Sequence, residues 1–374
     1  MVSTPVRVLV VDDSALMRKA LKSMLVDAGF DVDTARNGLD ALAQVRQHPP
    51  DVVTLDVNMP EMDGMTCLAR LMTEHPLPVV MVSSLTDPDA RLTLEALELG
   101  AVDYVPKPGG TVSLDIETVR YELVTKVRAA ARARIRRSGG LRERLRHQRE
   151  QFELASSGRA RTVGARDGSP VRRARPAARS TPRPRPELVL IGSSTGGPSA
   201  LSDVLRPLPR DFTAPIVVAQ HIPASFTRHL AERLNQDCHV EVCEVSGVEL
   251  LRPGRIYLGR GDADVVIGRR PDGLVAKSVP ASGDYRWHPS VNRLVASAIA
   301  VCADHSRLVG VLLTGMGDDG AAQMARLHGL GGRTIAESEA TAVVFGMPGE
   351  LVRLGGADLV LPVEGIGSQL AAWA

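Results

Sequence analysis

Short runs of β-branched apolar residues alternate with amphipathic helical patterns along most of this 374-residue chain. The alternation occurs in residues 5–133 and again in residues 187–374. Such an alternation is typical of a parallel sheet that carries helices on both faces. The predicted fold class is therefore α/β, with two doubly wound parallel-sheet domains joined by an Arg-rich linker over residues 134–186.

The period of the apolar pattern predicts individual elements in both domains. Strands of the first domain are predicted at Arg7–Val11, Asp31–Ala35, Val52–Leu55, Val79–Ser83 and Ala101–Val105. Its first helix is predicted to begin at Ser14 and to stop at Gly29, and the others at Gly38–Gln47, Met65–Thr73, Pro88–Leu99 and Leu114–Ala131. Strands of the second domain are predicted at Leu188–Gly192, Ile216–Gln220, Val240–Val245, Leu308–Thr314, Arg333–Ala336 and Asp358–Leu361. Its helices are predicted at Ser199–Leu205, Phe226–Gln236, Pro289–Cys302 and Gly320–Leu327. We expect Arg255–Ile267 to form a hairpin inserted between these elements.

The linker concentrates positive charge. Between Arg128 and Arg185 there are 18 arginines, no lysine and four acidic residues, a net charge of +14, so the remaining sequence carries −12 within a total of +2. Large apolar residues are too few here to offset the entropy of ordering, so we expect the linker to be mostly disordered, with a short charged helical pattern over Leu141–Leu154. It is either a flexible connection or a contact for nucleic-acid phosphates or acidic lipid and receptor surfaces.

Composition excludes several classes of protein. The four cysteines form no C-x-x-C and no zinc-type spacing with histidine, and so few in a long chain are typical of reduced thiols in the cytoplasm. The first residues lack the pattern of a signal peptide, and no apolar run reaches 18 residues. Aromatic residues make up only 3%, which argues against RNA binding by stacked rings. We therefore expect a cytoplasmic protein without a transmembrane segment.

Acidic residues follow two predicted strands of the first domain. Asp12 and Asp13 come after the first strand and Asp56 after the third. Because the carboxyl ends of parallel strands meet at one crevice, these oxygens could hold Mg²⁺, which prefers hard oxygen ligands. Ser83 and Lys107 follow the fourth and fifth strands and could bind an added phosphoryl group. The alternative is that the acidic residues are solvated caps of the following helices.

A serine, a histidine and an aspartate pair follow predicted strands of the second domain. Ser194 lies in the Gly-rich turn at 192–198, His221 follows the second strand, and Asp318 and Asp319 follow the fourth. A serine hydroxyl needs an adjacent base, and that base needs an acid to orient it, so the three positions suit nucleophilic catalysis. Main-chain N–H groups near Met316, between two glycines, could face an oxyanion. The alternatives are a phosphate-binding turn, a core histidine and a pair of helix-capping acids.

The first domain resembles a response-regulator receiver domain. The motifs that carry the resemblance are V-D-D-S at 11–14, T-L-D-V-N-M-P-x-M-D-G at 54–64, S-S at 83–84 and K-P at 107–108. The resemblance implies a flavodoxin-like fold with Asp56 as the phospho-acceptor. It also implies Mg²⁺ held by Asp13, Asp56 and the main-chain carbonyl of Asn58, with Asp12 assisting. Ser83 and Lys107 would bind the phosphoryl group, and Tyr104 would be the switch ring.

The second domain resembles the catalytic domain of chemotaxis protein-glutamate methylesterases. The motifs that carry the resemblance are I-G-x-S-T-G-G-P at 191–198, Q-H-I-P at 220–223, H-P-S-V at 288–291, L-T-G-M-G-x-D-G-A at 313–321 and V-F-G-M-P at 344–348. The resemblance implies a Rossmann-like serine hydrolase domain without a cofactor in its active site. Ser194 would be the nucleophile, His221 the general base, Asp319 the orienting acid and the Met316 main chain an oxyanion donor. The order Ser, His, Asp differs from that of α/β-hydrolases.

This sequence departs from the family pattern at several positions, which concern the substrate groove and receptor preference. Ser193 stands where alanine is common, and Asp318 adds an acid beside Asp319. Four further departures lie in 257–264 and 287–292: Arg260 and Asp264 where the pattern has Pro and His, and His288 and Asn292 where it has Arg and Asp.

The implied function is phosphorylation-activated hydrolysis of glutamate methyl esters, and deamidation of some glutamines, on chemoreceptors. The implied partners are a histidine kinase as phospho-donor and the cytoplasmic helices of methylated chemoreceptors, not nucleic acid. Two other functions compete with this one. A response regulator could bind nucleic acid through the arginines of the linker, although no helix-turn-helix pattern follows the first domain. A catalytically inactive scaffold is disfavoured by the complete set of serine, histidine and aspartate.

Overall fold

The computed structural model describes residues 5–84, 86–107, 116–133 and 184–374. Residues 134–183 of the predicted linker, including the helical pattern over Leu141–Leu154, lie outside the described residues. Among the helices of the described ranges, none combines the length and apolar character that a bilayer crossing requires.

The first sheet has five parallel strands in the order β2-β1-β3-β4-β5. Its elements are β1 (Arg7–Val11), α1 (Ala15–Val26), β2 (Asp31–Ala35), α2 (Gly38–Gln47), β3 (Val52–Asp56), α3 (Gly64–Glu74), β4 (Val79–Ser83), α4 (Asp87–Leu99), β5 (Asp103–Pro106) and α5 (Ile116–Ala130). Side-chain caps set three of the helix starts: Ser14 accepts from the amide of Met17, Asn37 from that of Asp40, and Asp63 from that of Thr66. Every residue of β3 and β4 is buried, as expected when helices cover both faces.

The second sheet has seven parallel strands in the order β15-β14-β13-β6-β7-β10-β8, and a three-stranded antiparallel sheet has the order β11-β12-β9. The strands are β6 (Leu188–Ser193), β7 (Ile216–Gln220), β8 (Glu241–Val245), β9 (Val248–Leu250), β10 (Arg255–Gly259), β11 (Ala263–Arg270), β12 (Gly273–Pro280), β13 (Leu308–Leu312), β14 (Arg333–Glu337) and β15 (Leu359–Leu361). The helices are α6 (Gly197–Leu205), α7 (Ala224–Asp237), α8 (Val291–Val301), α9 (Ala321–Gly329), α10 (Met347–Arg353) and α11 (Val363–Trp373).

The α/β class and the two parallel sheets predicted from the sequence are confirmed. The predicted hairpin at Arg255–Ile267 is wrong. Arg255–Gly259 is instead a parallel strand between β7 and β8, and the hairpin is formed by Ala263–Arg270 with Gly273–Pro280. A short apolar run fits a parallel strand and a hairpin arm equally well, so the run at Arg255–Gly259 did not distinguish them.

Each large sheet has a point where the chain reverses its direction of strand addition. In the first sheet β1 lies between β2 and β3, and in the second β6 lies between β7 and β13. Loops that leave neighbouring strands on opposite sides of such a point open a crevice at the carboxyl edge. In both domains the residues singled out from the sequence lie at this crevice.

Candidate active site and phosphorylation site

Ser194 directly follows β6, at the switch point of the seven-stranded sheet. The register pairs Ser193 with Gln220, so Ser194 and His221 are the next residues on two adjacent strands. Ser194 is half-buried, and its hydroxyl has no hydrogen-bond partner among the described residues. Its amide donates to the carbonyl of Thr314 at 3.0 Å, which ties the turn to the loop after β13. The side chain is therefore held at the crevice with a free hydroxyl.

The neighbouring Ser193 does not compete for this position. Its side chain is fully buried, and its hydroxyl donates to Oε1 of Gln220 at 2.6 Å. The amide of Gln220 in turn donates to the main-chain carbonyls of Ser194 and His221, each at 3.0 Å. Ser193 and Gln220 thus fix the turn that presents Ser194. Sequence reasoning missed this role of Gln220, although it lies inside the quoted Q-H-I-P motif.

His221 and Asp319 lie within hydrogen-bond distance of each other. Nε2 of His221 is 2.9 Å from Oδ2 of Asp319, and the side chains of both residues are largely buried. Nδ1 of His221 is buried and has no partner in the described part of the chain. The nitrogen that remains available to take a proton from Ser194 is therefore Nδ1.

The N-terminus of α8 holds the Asp319 carboxylate. It accepts hydrogen bonds from the amide of Val291 at 2.7 Å, the amide of Asn292 at 3.0 Å and the hydroxyl of Ser290 at 3.1 Å. Burial raises the pKa of Asp319, but the hydrogen bond and charge of His221 and these amides outweigh it, so the pKa lies below its ordinary value. The carboxylate thus stays ionised and oriented. The H-P-S-V motif was the signal for this support, but its role was not predicted.

The Gly-rich loop after β13 approaches Ser194 closely. A Cβ on Gly315 would lie 2.8 Å from Cβ of Ser194, so only glycine leaves room for the Ser194 side chain here. The amide of Gly315 donates to Val344, whereas the amide of the half-buried Met316 has no partner among the described residues. That free N–H suits the predicted oxyanion donor. Asp318 is exposed and outside this network.

A buried carboxylate at the end of β14 holds this loop through a hydrogen bond. Glu337, at the end of β14, accepts from the amide of Thr314 at 2.8 Å. The hydroxyl of Thr314 donates to the carbonyl of Thr195 at 2.9 Å, which joins the loop to the nucleophile turn. No sequence signal pointed to Glu337, because its strand reads only as buried apolar sheet.

The predicted phosphorylation residues meet at the switch point of the first sheet. Carboxylate oxygens of Asp12, Asp13 and Asp56 lie within 4.8 Å of one another. Nζ of Lys107 is 2.7 Å from Asp56 and 3.1 Å from Asp12, and its amide donates to the carbonyl of Ser83 at 2.9 Å. A cluster of hard carboxylate oxygens at an open crevice fits Mg²⁺. Asn58 is exposed beside it, and its amide is 3.4 Å from Oδ1 of Asp56.

Charge is unevenly compensated in this cluster. Burial raises the pKa of Asp56 above its ordinary value, against the hydrogen bond and charge of Lys107. Burial lowers the pKa of Lys107, but its hydrogen bond to Asp56 and the charges of Asp56 and Asp12 outweigh it, so the pKa is raised. One ammonium therefore contacts two of the three carboxylates, which leaves negative charge for a divalent cation to neutralise.

The predicted switch ring lies at an interface between the two domains. Tyr104 on β5 is buried and stacks on Phe226 of α7, with ring centroids 4.5 Å apart. Its neighbour Asp103 accepts from the hydroxyl of Thr195 at 2.5 Å, and Thr195 directly follows Ser194. Helix α4 packs against α6 and α7. The edge of the first sheet thus covers the turn that carries the predicted nucleophile.

Comparisons with known proteins agree with both halves of the sequence reasoning. Residues 8–116 match the response regulator receiver domain, and residues 189–370 match the CheB methylesterase family. The chain is 55% identical to "Protein-glutamate methylesterase/protein-glutamine glutaminase 2" of Rhodopseudomonas palustris, over 98% of each chain. It is 54% identical to "Protein-glutamate methylesterase/protein-glutamine glutaminase 3" of Rhodospirillum rubrum, over 98% of this chain and 96% of the other. The crystal structure of the Thermotoga maritima CheB methylesterase catalytic domain is 35% identical, covers 50% of this chain and 99% of its own, and has a TM-score of 0.48.

Proposed function

Because the chain belongs to the protein-glutamate methylesterase/protein-glutamine glutaminase family, we propose that it hydrolyses glutamate methyl esters, and deamidates some glutamines, on methyl-accepting chemoreceptors. The observation that carries this proposal is the 2.9 Å contact between His221 and Asp319, which follow the two strands on either side of the strand that leads to Ser194. The two activities share one chemistry, since both replace a leaving group on a γ-carboxyl derivative by water.

The arrangement supports acyl transfer through Ser194. Its Oγ attacks the ester carbonyl carbon while the hydroxyl proton moves to Nδ1 of His221, and Asp319 stabilises the imidazolium through Nε2. The N–H of Met316 donates to the developing oxyanion. Breaking the C–O bond releases methanol with the proton from His221. Water then attacks the acyl-enzyme with the same base, which leaves a glutamate carboxylate and regenerates the serine. With glutamine the leaving group is ammonia.

Resting inhibition follows from the domain contact. Asp103 contacts Thr195, which follows Ser194, and Tyr104 contacts Phe226 on the helix after His221. In the proposed resting state these contacts hold the first domain against the crevice and hinder entry of a receptor helix. A phosphoryl group on Asp56 adds about two negative charges, and Lys107 and Ser83 would be drawn toward it. Mg²⁺ held by Asp12, Asp13, Asp56 and the Asn58 carbonyl would neutralise part of that charge. The rearrangement around Tyr104 loosens the contact.

The partners follow from the same chemistry. A histidine kinase supplies the phosphoryl group, the substrates are cytoplasmic helices of chemoreceptors, and the cytoplasm is the proposed location. Nucleic acid is not among the proposed partners, because the second domain carries the hydrolase-type crevice described above.

Methanol release from membranes that carry methylated receptors tests the proposal. The wild-type protein should release methanol faster when an acyl-phosphate donor and Mg²⁺ are added, and Ser194→Ala should release none above background. Ser193→Ala is the matched comparison: it removes the neighbouring hydroxyl and its support of the turn but leaves the Ser194 hydroxyl, so it should lower the rate only in part. If Ser194→Ala retains the wild-type rate, the nucleophile assignment fails, and an unchanged rate with the phospho-donor removes the gating.

A further inference from the structure

We propose that Trp287 is a positioning residue for the His221 imidazole, and that the buried carboxylate of Asp264 anchors the loop that carries it. The inference rests on the proposed esterase function and adds to it a role for a loop that the sequence did not indicate. The loop runs from Ser282 to Ser290, between β12 and α8.

Trp287 covers one face of the catalytic imidazole. The ring centroids of Trp287 and His221 are 5.6 Å apart with an interplanar angle of 15°, which is an offset stack. The guanidinium of Arg286 lies 5.6 Å from the ring centroid of Trp287 and 4.3 Å from that of Tyr121 on α5. The indole thus contacts both the imidazole of His221 and a cation.

Asp264 closes the loop at both ends. Its carboxylate is 1% exposed and accepts from the amide of Ser282 at 3.2 Å and from the amide of Ser290 at 2.7 Å. It also contacts Nδ1 of His288 at 3.0 Å and the guanidinium of Arg293 at 2.5 Å. A buried carboxylate is stable only when its charge is compensated by hydrogen bonds or basic groups. The Asp264 carboxylate therefore holds both ends of the loop and the two basic side chains.

Two of the departures from the family pattern meet in this cluster. The pattern has His and Arg at positions 264 and 288, two basic side chains, whereas this chain has Asp264 and His288 in contact. Asp264 therefore supplies an acceptor for the amides at both loop ends.

The loop fixes His221 from two directions at once. Trp287 lies on the ring face, and Ser290, at the end of the same loop, donates to the Asp319 carboxylate that holds Nε2. These contacts constrain rotation of the imidazole and direct Nδ1 toward the nucleophile. A small misplacement of a catalytic group can cost about 10²-fold in rate.

The kinetic test compares Trp287→Ala with Trp287→Phe in the full chain, using methanol release with the acyl-phosphate donor present. Trp287 is half-exposed, so truncation leaves the core intact. Trp287→Ala should lower kcat by about 10- to 100-fold with little change in KM, and the aromatic Trp287→Phe should restore most of it. Asp264→Asn should lower kcat in the same way. A rise in KM at unchanged kcat would make Trp287 a substrate contact instead and overturn the proposal, and so would full activity of Trp287→Ala.

A second measurement does not depend on esterase activity. The chain has two tryptophans, so Trp373→Phe leaves Trp287 as the single reporter and should leave the activity unchanged. In that background His221→Ala should change the intensity or wavelength of the Trp287 emission, because the stacked ring is removed. Unchanged emission contradicts the stack. If the emission changes but the wild-type protein releases no methanol, the proposed function fails while the positioning contact stands.

Discussion

Replacing Asp103 with alanine should raise the esterase rate of the unphosphorylated protein. The Asp103 carboxylate accepts from the hydroxyl of Thr195 at 2.5 Å, is 6% exposed and lies 3.4 Å from Nζ of Lys126. It is therefore a buried, charge-assisted contact between the first domain and the turn that carries Ser194. Without it, the closed arrangement loses stability relative to the open one.

The size of the effect follows from the type of hydrogen bond. A hydrogen bond to a charged group contributes about 1.5–3 kcal/mol, and each 1.4 kcal/mol changes an equilibrium tenfold, so the open population should rise roughly 10- to 100-fold. Asp103→Asn keeps a neutral acceptor for Thr195 and should give a smaller increase. Glu98→Gln is the matched control, because its ion pair with Arg233 crosses the same interface but is partly exposed and contributes about 0–1 kcal/mol.

The assay is methanol release from methylated receptor membranes, first without and then with a saturating acyl-phosphate donor. All three variants should reach the wild-type rate when phosphorylated, since the open state is then already populated. Circular dichroism establishes that each variant is folded. An Asp103→Ala protein that is folded, fully active when phosphorylated and no faster than wild type when unphosphorylated would refute the reasoning.

Three further predictions concern the catalytic and phosphorylation sites. Asp319→Asn should lower kcat by about 10³–10⁴-fold, because His221 loses the group that fixes its tautomer, and steady-state kinetics measures this. The pKa values of Asp319 and Asp264 are lowered in the folded state, so both stabilise it fully above their ordinary value of 3.8 and lose that effect as pH falls through the folded pKa. Measured by urea unfolding, the free energy of unfolding should fall less steeply with decreasing pH in Asp264→Asn than in the wild type. Equal pH dependence of the two proteins would contradict this. Asp56→Asn, or removal of Mg²⁺ with a chelator, should abolish the response to the acyl-phosphate donor and leave the unstimulated rate unchanged, whereas a retained response would reassign the acceptor.

The sequence predicted most of the fold because the apolar periods are clear where strands are buried on both faces. Two helices of the second domain were not predicted. Met347–Arg353 is only seven residues long, and Val363–Trp373 contains two glycines that weaken its helical pattern. The hairpin was misplaced because pairing partners are set by tertiary contacts that a short strand pattern does not carry.

The site residues could be predicted from the sequence where reactive residue types directly follow predicted strands. Ser194, His221 and Asp319 each follow a strand, and the rule that parallel strands end at one edge places them together. The groups that hold them were not predictable in the same way. Gln220, Glu337 and Trp287 act through contacts between segments distant in sequence, and a buried polar side chain reveals its partner only once the fold is known.

The phenol oxygen of Tyr104 is buried and has no hydrogen-bond partner among the described residues. Leaving such a group unsatisfied costs about 1–3 kcal/mol, and water would satisfy it as soon as the ring is released. The closed arrangement therefore carries a penalty that its opening relieves. An inhibitory contact built in this way stabilises the closed arrangement less than the ring stacking alone would suggest. The addition of a single phosphoryl group is therefore enough to reverse it.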